Sequence, residues 1–184
     1  MSKGPVAVIL AIIIIGAIAG YVFYTSFIPG TLTLTITDPA QAQPGTSQHY
    51  DPTITHIYVT VSGFQVHVAG QGNASGWTTM AIPTQTIDMM SVLSVSKVLG
   101  TMKLSVGKYD TLRFNVTGVM VDFINTSTAS YTVPSGTLKI AIPNGGFQIV
   151  ATSAVTVLLT LSFNNSEILV MNGHLTPVAK ATVS

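Results

Sequence analysis

Four histidines, six carboxylates and no cysteine are the groups in this chain best suited to move protons or hold a metal. The histidines are His49, His56, His67 and His174. His56 and His67 fall on neighbouring or consecutive predicted strands, with no HxH spacing and no Asp or Glu paired to them in sequence. Metal sites need several such ligands at set spacings. These four read as polar surface histidines, and no metal is expected. Copper of the thiolate kind is excluded, because its cysteine ligand is missing. The carboxylates Asp38, Asp51, Asp88, Asp110, Asp122 and Glu167 are scattered singly. Paired-carboxylate chemistry needs two within reach of one bond, and no pair is visible. Asp38 and Asp51 flank one loop and could help hold calcium, but Asp before Pro is also an ordinary turn initiator. Neither G-x-S-x-G, a P-loop nor H-E-x-x-H occurs. Lys108 or Lys139 could close an isopeptide staple with an Asp or Asn. No catalytic residue and no cofactor site emerges, so the chain is expected not to be an enzyme.

Other residues suggest binding or modification. Trp77, Tyr50, Tyr58 and Tyr131 could line a sugar-binding surface, a role that competes with core packing and loop anchoring. Four N-x-[ST] acceptors occur, at Asn73, Asn115, Asn125 and Asn164. Three lie in or beside predicted loops and Asn115 on an outward strand face. That placement fits glycans on an external domain, although such triplets also arise by chance in a Thr/Ser-rich chain. Gly16-x-x-x-Gly20, with Gly4 before it, has the small-residue spacing that lets helices approach closely. Plain lipid anchoring with an incidental glycine pair is the competing reading.

The elements that carry these residues follow from composition and periodicity. At 184 residues, the chain has room for one domain and an appendage. Charged residues make up 7%, against roughly 25% in an ordinary domain. The hydrophobic fraction of 47% is enough for a core, which excludes a disordered chain. A net charge of +1, from seven Lys+Arg against six Asp+Glu, excludes a basic nucleic-acid binder. So few carboxylates leave little stability to lose in acid. This suggests an external face in acid, as in an acidophile. The alternative is a secreted β protein with a Thr/Ser-rich coat.

Pro5 to Ile28 is a run of 24 residues without a charge. As a helix it spans roughly 36 Å, enough for a hydrocarbon core of about 30 Å. Pro5 suits a first turn, and Pro29-Gly30 stops the helix. Tyr21, Phe23, Tyr24 and Phe27 gather at its end, where aromatic rings favour the lipid–water interface. Lys3 and the terminal amine are the charges on the near side, so that side should stay cytoplasmic and the rest lie outside. Two rivals involve cleavage. Ala17-Ile18-Ala19 resembles a signal-peptide site, and Lys3-Gly4 resembles an archaeal prepilin site. The apolar run continues nine residues past Ala19, which favours a retained anchor. The boundaries expected are an anchor over 1–29 and an extracytoplasmic domain over 30–184.

After Gly30 the pattern alternates. Leu32, Leu34 and Ile36 face one way and threonines the other. A polar loop runs to Pro52. Ile57, Val59 and Val61 continue inward as Phe64, Val66 and Val68 after a phase change, which predicts a bulge at Gly63. Gln71–Gly76 reads as a hairpin-type loop and Trp77–Ile82 as the returning strand. Ile87–Leu99 is ambiguous, a short helix or a coil crossing. Strands are then expected over 102–106, 109–116, 119–124, 129–133, 137–142 and 147–150. The longest alternating set is Val155 to Phe163, and the chain closes with 167–171 and 175–183. Nine to eleven short strands argue for an all-β antiparallel sandwich behind one transmembrane helix.

The stretches GTLTLTITDP at 30–39, ITHIYVTVSGFQVHVAG at 54–70 and TIDMMSVL at 86–93 are joined by VGKYDTLRFNV at 106–116, TVPSGTLKIAI at 132–142 and LTPVAK at 175–180. In this order they resemble an uncharacterised family of prokaryotic surface domains described as carbohydrate-binding-like. The resemblance implies a β-sandwich on the cell surface and transfers no catalytic residue. Many relatives look like lipoproteins tethered through a cysteine; here the helix would replace the lipid. The expectation is a single-pass membrane protein acting in binding or structure, as an accessory subunit of a membrane or surface assembly. Its partners would be the bilayer, a membrane protein or a second copy through the helix, and glycans. Nucleic acid is not expected. The alternatives are a pilin-like filament subunit with bundled helices and a carbohydrate-binding module.

Overall fold

The computed structural model describes residues 4–38, 50–170 and 173–184. Lys3, His49 and residues 39–49 of the polar loop lie outside the described residues. Helix α1, Gly4–Phe27, is the apolar run. Its segment Val8–Phe27 has a mean hydropathy of 2.4 and no part of it is buried. Twenty residues rise roughly 30 Å, the depth of a bilayer core. The helix is long and apolar enough to cross a membrane, a property that a signal sequence near an N-terminus shares. Proline cannot supply the N–H that would continue the helix. Ile28 and Pro29 therefore lead directly into strand β1, Gly30–Thr37.

Eleven strands follow among the described residues, in two sheets. The smaller sheet has the order β11–β10–β1–β5, with β5 at Lys97–Leu104, β10 at Ala154–Ser162 and β11 at Val178–Val183. The larger is built on two long strands, β2 at Ile54–Val68 and β6 at Gly107–Phe123. Against β2 lie β3 (Trp77–Thr79) and β4 (Gln85–Asp88). Against β6 lie β7 (Thr128–Tyr131), β8 (Thr137–Ala141) and β9 (Phe147–Ile149). Pairing within these sheets is antiparallel, with one exception: β1 runs parallel to β10, Leu32 opposite Val155 and Ile36 opposite Leu159.

Period-2 alternation sends Leu32, Leu34 and Ile36 of β1 and Val157, Leu159 and Leu161 of β10 into the core. Ile57, Val59 and Val61 of β2 and Leu112 of β6 are buried with them. Phe64 and Phe114 stack at the centre, with ring centroids 5.3 Å apart. The bulge expected at Gly63 is present. Its φ is +61°, the pairing slips between Ser62 and Gln65, and the inward phase resumes at Phe64.

Several expected elements differ. Residues 109–116 and 119–124 form one strand, β6, because Gly118 continues the extended backbone where the pairing with β2 shifts. The ambiguous stretch splits into the end of β4, a 3-10 turn at Met89–Val92 and the start of β5. Asp88 caps that turn by accepting from the Met90 N–H. Residues 167–170 are not a strand: helix α2 covers Asn165–Val170, and Met171 lies outside the described residues. Asn164 accepts from the Ser166 N–H at 3.0 Å, satisfying a first-turn donor.

Candidate functional site

The polar chemistry of the head gathers on the outer face of the larger sheet. Strand β2 supplies His56, Tyr58 and Thr60 before the bulge, then Gln65 and His67 after it. Register joins them into rows across the sheet. One row runs Thr79–Gln65–Arg113–Lys139, from β3 through β2 and β6 to β8. Gln65 donates to Thr79 Oγ1 at 2.9 Å, and Arg113 Nε donates to Gln65 Oε1. The next row sets Trp77 opposite His67 and His67 opposite Thr111.

Trp77 is the centre of this cluster. Its indole N–H donates to the Asn73 carbonyl at 3.0 Å, which ties the ring to the 71–76 turn. The Arg113 guanidinium lies 3.9 Å from the ring centroid and the Lys139 ammonium 5.7 Å, both in cation–π range. His67 tilts against the same ring at 4.9 Å.

The topology pairs two histidines with carboxylates far away in sequence, which spacing along the chain does not reveal. His56 Nδ1 lies 2.7 Å from Asp88 Oδ2, and His67 Nδ1 lies 3.0 Å from Asp110 Oδ1. The second pair is the more enclosed: His67 is not the surface histidine expected but is buried, 5% exposed, with the Trp77 ring against it. His67 Nε2 also faces the Gly72 carbonyl, at 3.3 Å. A neutral imidazole has one N–H for two acceptors, whereas an imidazolium donates to both. The Asp110 carboxylate therefore holds the His67 ring above its usual value. The bond from His67, supported by the Thr111 hydroxyl, holds Asp110 below the usual carboxylate range.

The sugar-contact candidates separate. Trp77 is half-buried on the outer face, and Tyr58 lies on the same face, stacked on His56 at 5.4 Å. Tyr58 and His67, which faces Trp77 across the sheet, are nine positions apart on β2. That is roughly 30 Å of strand, so the two rings do not share one site. Tyr50 and Tyr131 are core residues, each 4% exposed, and do not line a surface. Tyr131 donates to the Ile168 carbonyl at 2.7 Å and anchors α2. Tyr50 donates to Asp38 Oδ2 and accepts from the Phe163 N–H. Burial, followed by the nearby Asp38 charge, pushes the Tyr50 phenol far up. Asp38 is buried beside Tyr50. Asp51 instead accepts from the Thr53 hydroxyl at 2.6 Å and backbone at 2.9 Å, which lowers its pKa. Each is thus committed to local structure, and among the described residues no three His, Asp or Glu side chains converge as a metal site would require.

Of the glycosylation candidates, Asn73, Asn125 and Asn164 are exposed. Asn125 and Asn164 each accept from the backbone and hydroxyl of the serine two residues on. Asn115 is part-buried: it accepts from the Thr137 hydroxyl, and its amide nitrogen fills the space that a Cβ on Gly63 would need. A glycan there would have to displace that packing. Lys139 reaches Asn73 Oδ1 at 3.3 Å as an exposed hydrogen bond. His174 lies beside Thr132, with Nδ1 2.7 Å from the hydroxyl. Gly16 and Gly20 face open space on α1. A cleft of about 230 Å³ between Phe123, Ile124 and Leu169 carries no titratable group.

These features define a two-sheet β protein behind one apolar helix, with a polar, aromatic-centred outer face. Residues 29–176 match the family model described as Domain of unknown function (DUF4382), and the chain belongs to that family. No curated protein and no solved structure is significantly similar to it.

Proposed function

We propose that this chain is a single-pass membrane protein whose β head is held outside the cytoplasm and acts by binding or as a structural subunit of a surface assembly, rather than by catalysis. The observation that carries this reading is the stem: an apolar, uncharged segment of twenty residues, Val8–Phe27, unburied by the head and two residues from β1. A stem of that kind has no place in water and needs lipid or another helix. Gly16 and Gly20 suit close contact with a second stem, in an accessory subunit or a bundle of copies. The Thr/Ser-rich coat suits an external, acid-facing surface, and the exposed sequons suit glycans there. The test is alkaline carbonate extraction of membranes carrying the full chain, with external protease on intact cells. The chain should stay with the membrane and lose its head to protease. Release by carbonate, or a protected head, overturns the reading.

A carbohydrate-binding role is the second reading, favoured by Trp77 with Gln65, Arg113 and Lys139 around it. Aromatic rings with a few placed polar groups beside them are among the groups that line small-ligand sites. Trp77 is the chain's one tryptophan, so its fluorescence reports directly on that face. Titration with soluble glycans should shift it without product formation. An unchanged spectrum across a broad glycan set removes this reading.

A further inference from the structure

The head's charges are sorted along its long axis. The stem joins β1 at Gly30, which defines a near end. Lys103 sits opposite Thr31, and Lys108 is the second residue of β6. Arg113 and Lys139 face each other on the same half of the larger sheet. Against these four cations the near half has Asp110 alone, and Asp110 is engaged by His67. The far half is the reverse. Asp38 follows β1, Asp88 and Asp122 lie opposite Tyr58 and His56, and Asp51 and Glu167 sit beside or in α2. The two lysines there are Lys97, opposite Ile36, and Lys180, opposite Thr160. Four cations against one carboxylate give +3, and two against five give −3. No other Asp, Glu, Lys or Arg occurs from residue 30 onward.

The stem dictates where the +3 end must sit. Val8–Phe27 matches the hydrocarbon depth, so Phe27 lies at its boundary. Two further residues reach at most about 10 Å, so Gly30 and its neighbours stand at headgroup level. The 150–153 turn belongs to the same end. The Val150 carbonyl and Ser153 hydroxyl pack on Gly30, and Thr152 Oγ1 lies 3.3 Å from the Tyr24 hydroxyl of the stem. Val150 is 51% exposed there, an apolar side chain that the head itself leaves half uncovered. Lys103 and Lys108 are exposed and within about one screening length, 8–10 Å, of that level. The far carboxylates are a strand length away, about 25 Å for the eight residues of β1. Screening removes them from the balance.

We infer that the stem-side end of the head docks on anionic lipid headgroups of the bilayer that holds the stem, with Lys103 and Lys108 as the contacting cations. This rests on the stem spanning the bilayer, as proposed above. Each lysine at a charged lipid surface should strengthen docking about fivefold.

The experiment uses the full chain in nanodiscs of phosphatidylcholine alone or mixed with phosphatidylglycerol, read by amide hydrogen exchange. Segments 103–108 and 150–153 should exchange more slowly in the anionic discs, by about fivefold or more, and high salt should erase the difference. The double substitution Lys103→Gln with Lys108→Gln should erase it too, while Lys97→Gln with Lys180→Gln should leave it intact. Both pairs are exposed, and circular dichroism checks that the fold survives. Equal exchange in the two lipids, or equal effects of the two double variants, overturns the inference while leaving the anchor standing. Protection that appears in lipid-free micelles and grows with protein concentration also overturns it, by assigning the end to the acidic tip of a second copy. A chain that carbonate washes from membranes overturns the anchor, and this inference with it.

Discussion

Replacing Asp110 with Asn removes one charge from the His67 pair while keeping the side chain's shape and its acceptor oxygen for Thr111. The pair is 3.0 Å long, with side-chain exposures of 7% for His67 and 32% for Asp110. A hydrogen bond between charged groups contributes about 1.5–3 kcal/mol when buried and about 0–1 kcal/mol at the surface. The partial exposure of Asp110 places this pair at about 1.5 kcal/mol. The sign of its pH dependence follows from the two shifts. His67 is raised from 6.5, so its contribution is complete below pH 6.5 and fades as pH rises through the folded value. Asp110 is lowered from 3.8, so its contribution is complete above that pH and fades as pH falls through the folded value. Both contributions are present between about pH 4 and 6.5. Thermal melts of the full chain in detergent, followed by circular dichroism, should show Asp110→Asn lowering Tm by roughly 3–6 °C at pH 5. The deficit should shrink above the folded His67 value, and again as pH falls through the folded Asp110 value. A deficit equal at pH 5 and 9, or larger at 9, would refute the argument, because the stabilisation would then owe nothing to the imidazolium.

Four further substitutions test the head. Phe114→Ala removes a ring stacked on Phe64 in the core and should cost about 3–5 kcal/mol in denaturant melts. Tyr131→Phe deletes the buried bond to the Ile168 carbonyl. It should cost about 1 kcal/mol and speed amide exchange in α2 before the sheets respond. Gly146→Ala places a Cβ 1.9 Å from the Tyr109 carbonyl oxygen at a φ of +98° and should break the β6–β9 pairing, with little folded protein recovered. Gly145→Ala, which meets only the flexible end of Lys108, should cost about 1 kcal/mol and fold.

Residues with strict alternation are legible in the chain. The strands around Leu32–Ile36 and Val155–Phe163 follow from side-chain period alone, because one face of each is buried. The Gly63 bulge is legible for the same reason: an inserted residue is what lets a buried row change phase and stay buried. Helix α2 is harder to read, because Ile168, Leu169, Val170 and Met171 form a short apolar run that fits either element. The deciding signal lies at its start: Asn164 followed three residues later by Glu167 has the spacing of a capped first turn. Tyr50 and Tyr131 cannot be assigned to core or surface from type alone, since a tyrosine suits either when its hydroxyl finds an acceptor. The His–Asp pairs are hidden more deeply. Asp88 and Asp110 stand 32 and 43 residues from their histidines. Only the register of β4 and β6 against β2 brings them together.

The same register explains how so few charges can matter. On the outer faces, hydroxyls and amides carry much of the bonding: Thr60 with Thr86, Gln65 with Thr79, Asn115 with Thr137, and Thr37 with the Val92 carbonyl. Such bonds do not titrate, and they leave little local counter-charge. On a surface with ordinary charge density, about a quarter of residues, two lysines would be offset by carboxylates within one screening length. Here Asp110, bonded to His67, is the one carboxylate of the near half, and those of the far half lie about a strand length from Lys103 and Lys108, beyond the reach of screened interaction at physiological salt. A charge-poor coat thus makes the position of each ion, rather than the net charge of +1, the quantity that sets the local field. Counting lysines within a few residues of the stem finds none on the head side, because the nearest, Lys97, is 70 residues from Phe27. The fold cancels that distance, since β5 returns antiparallel to β1 and delivers Lys103 opposite Thr31.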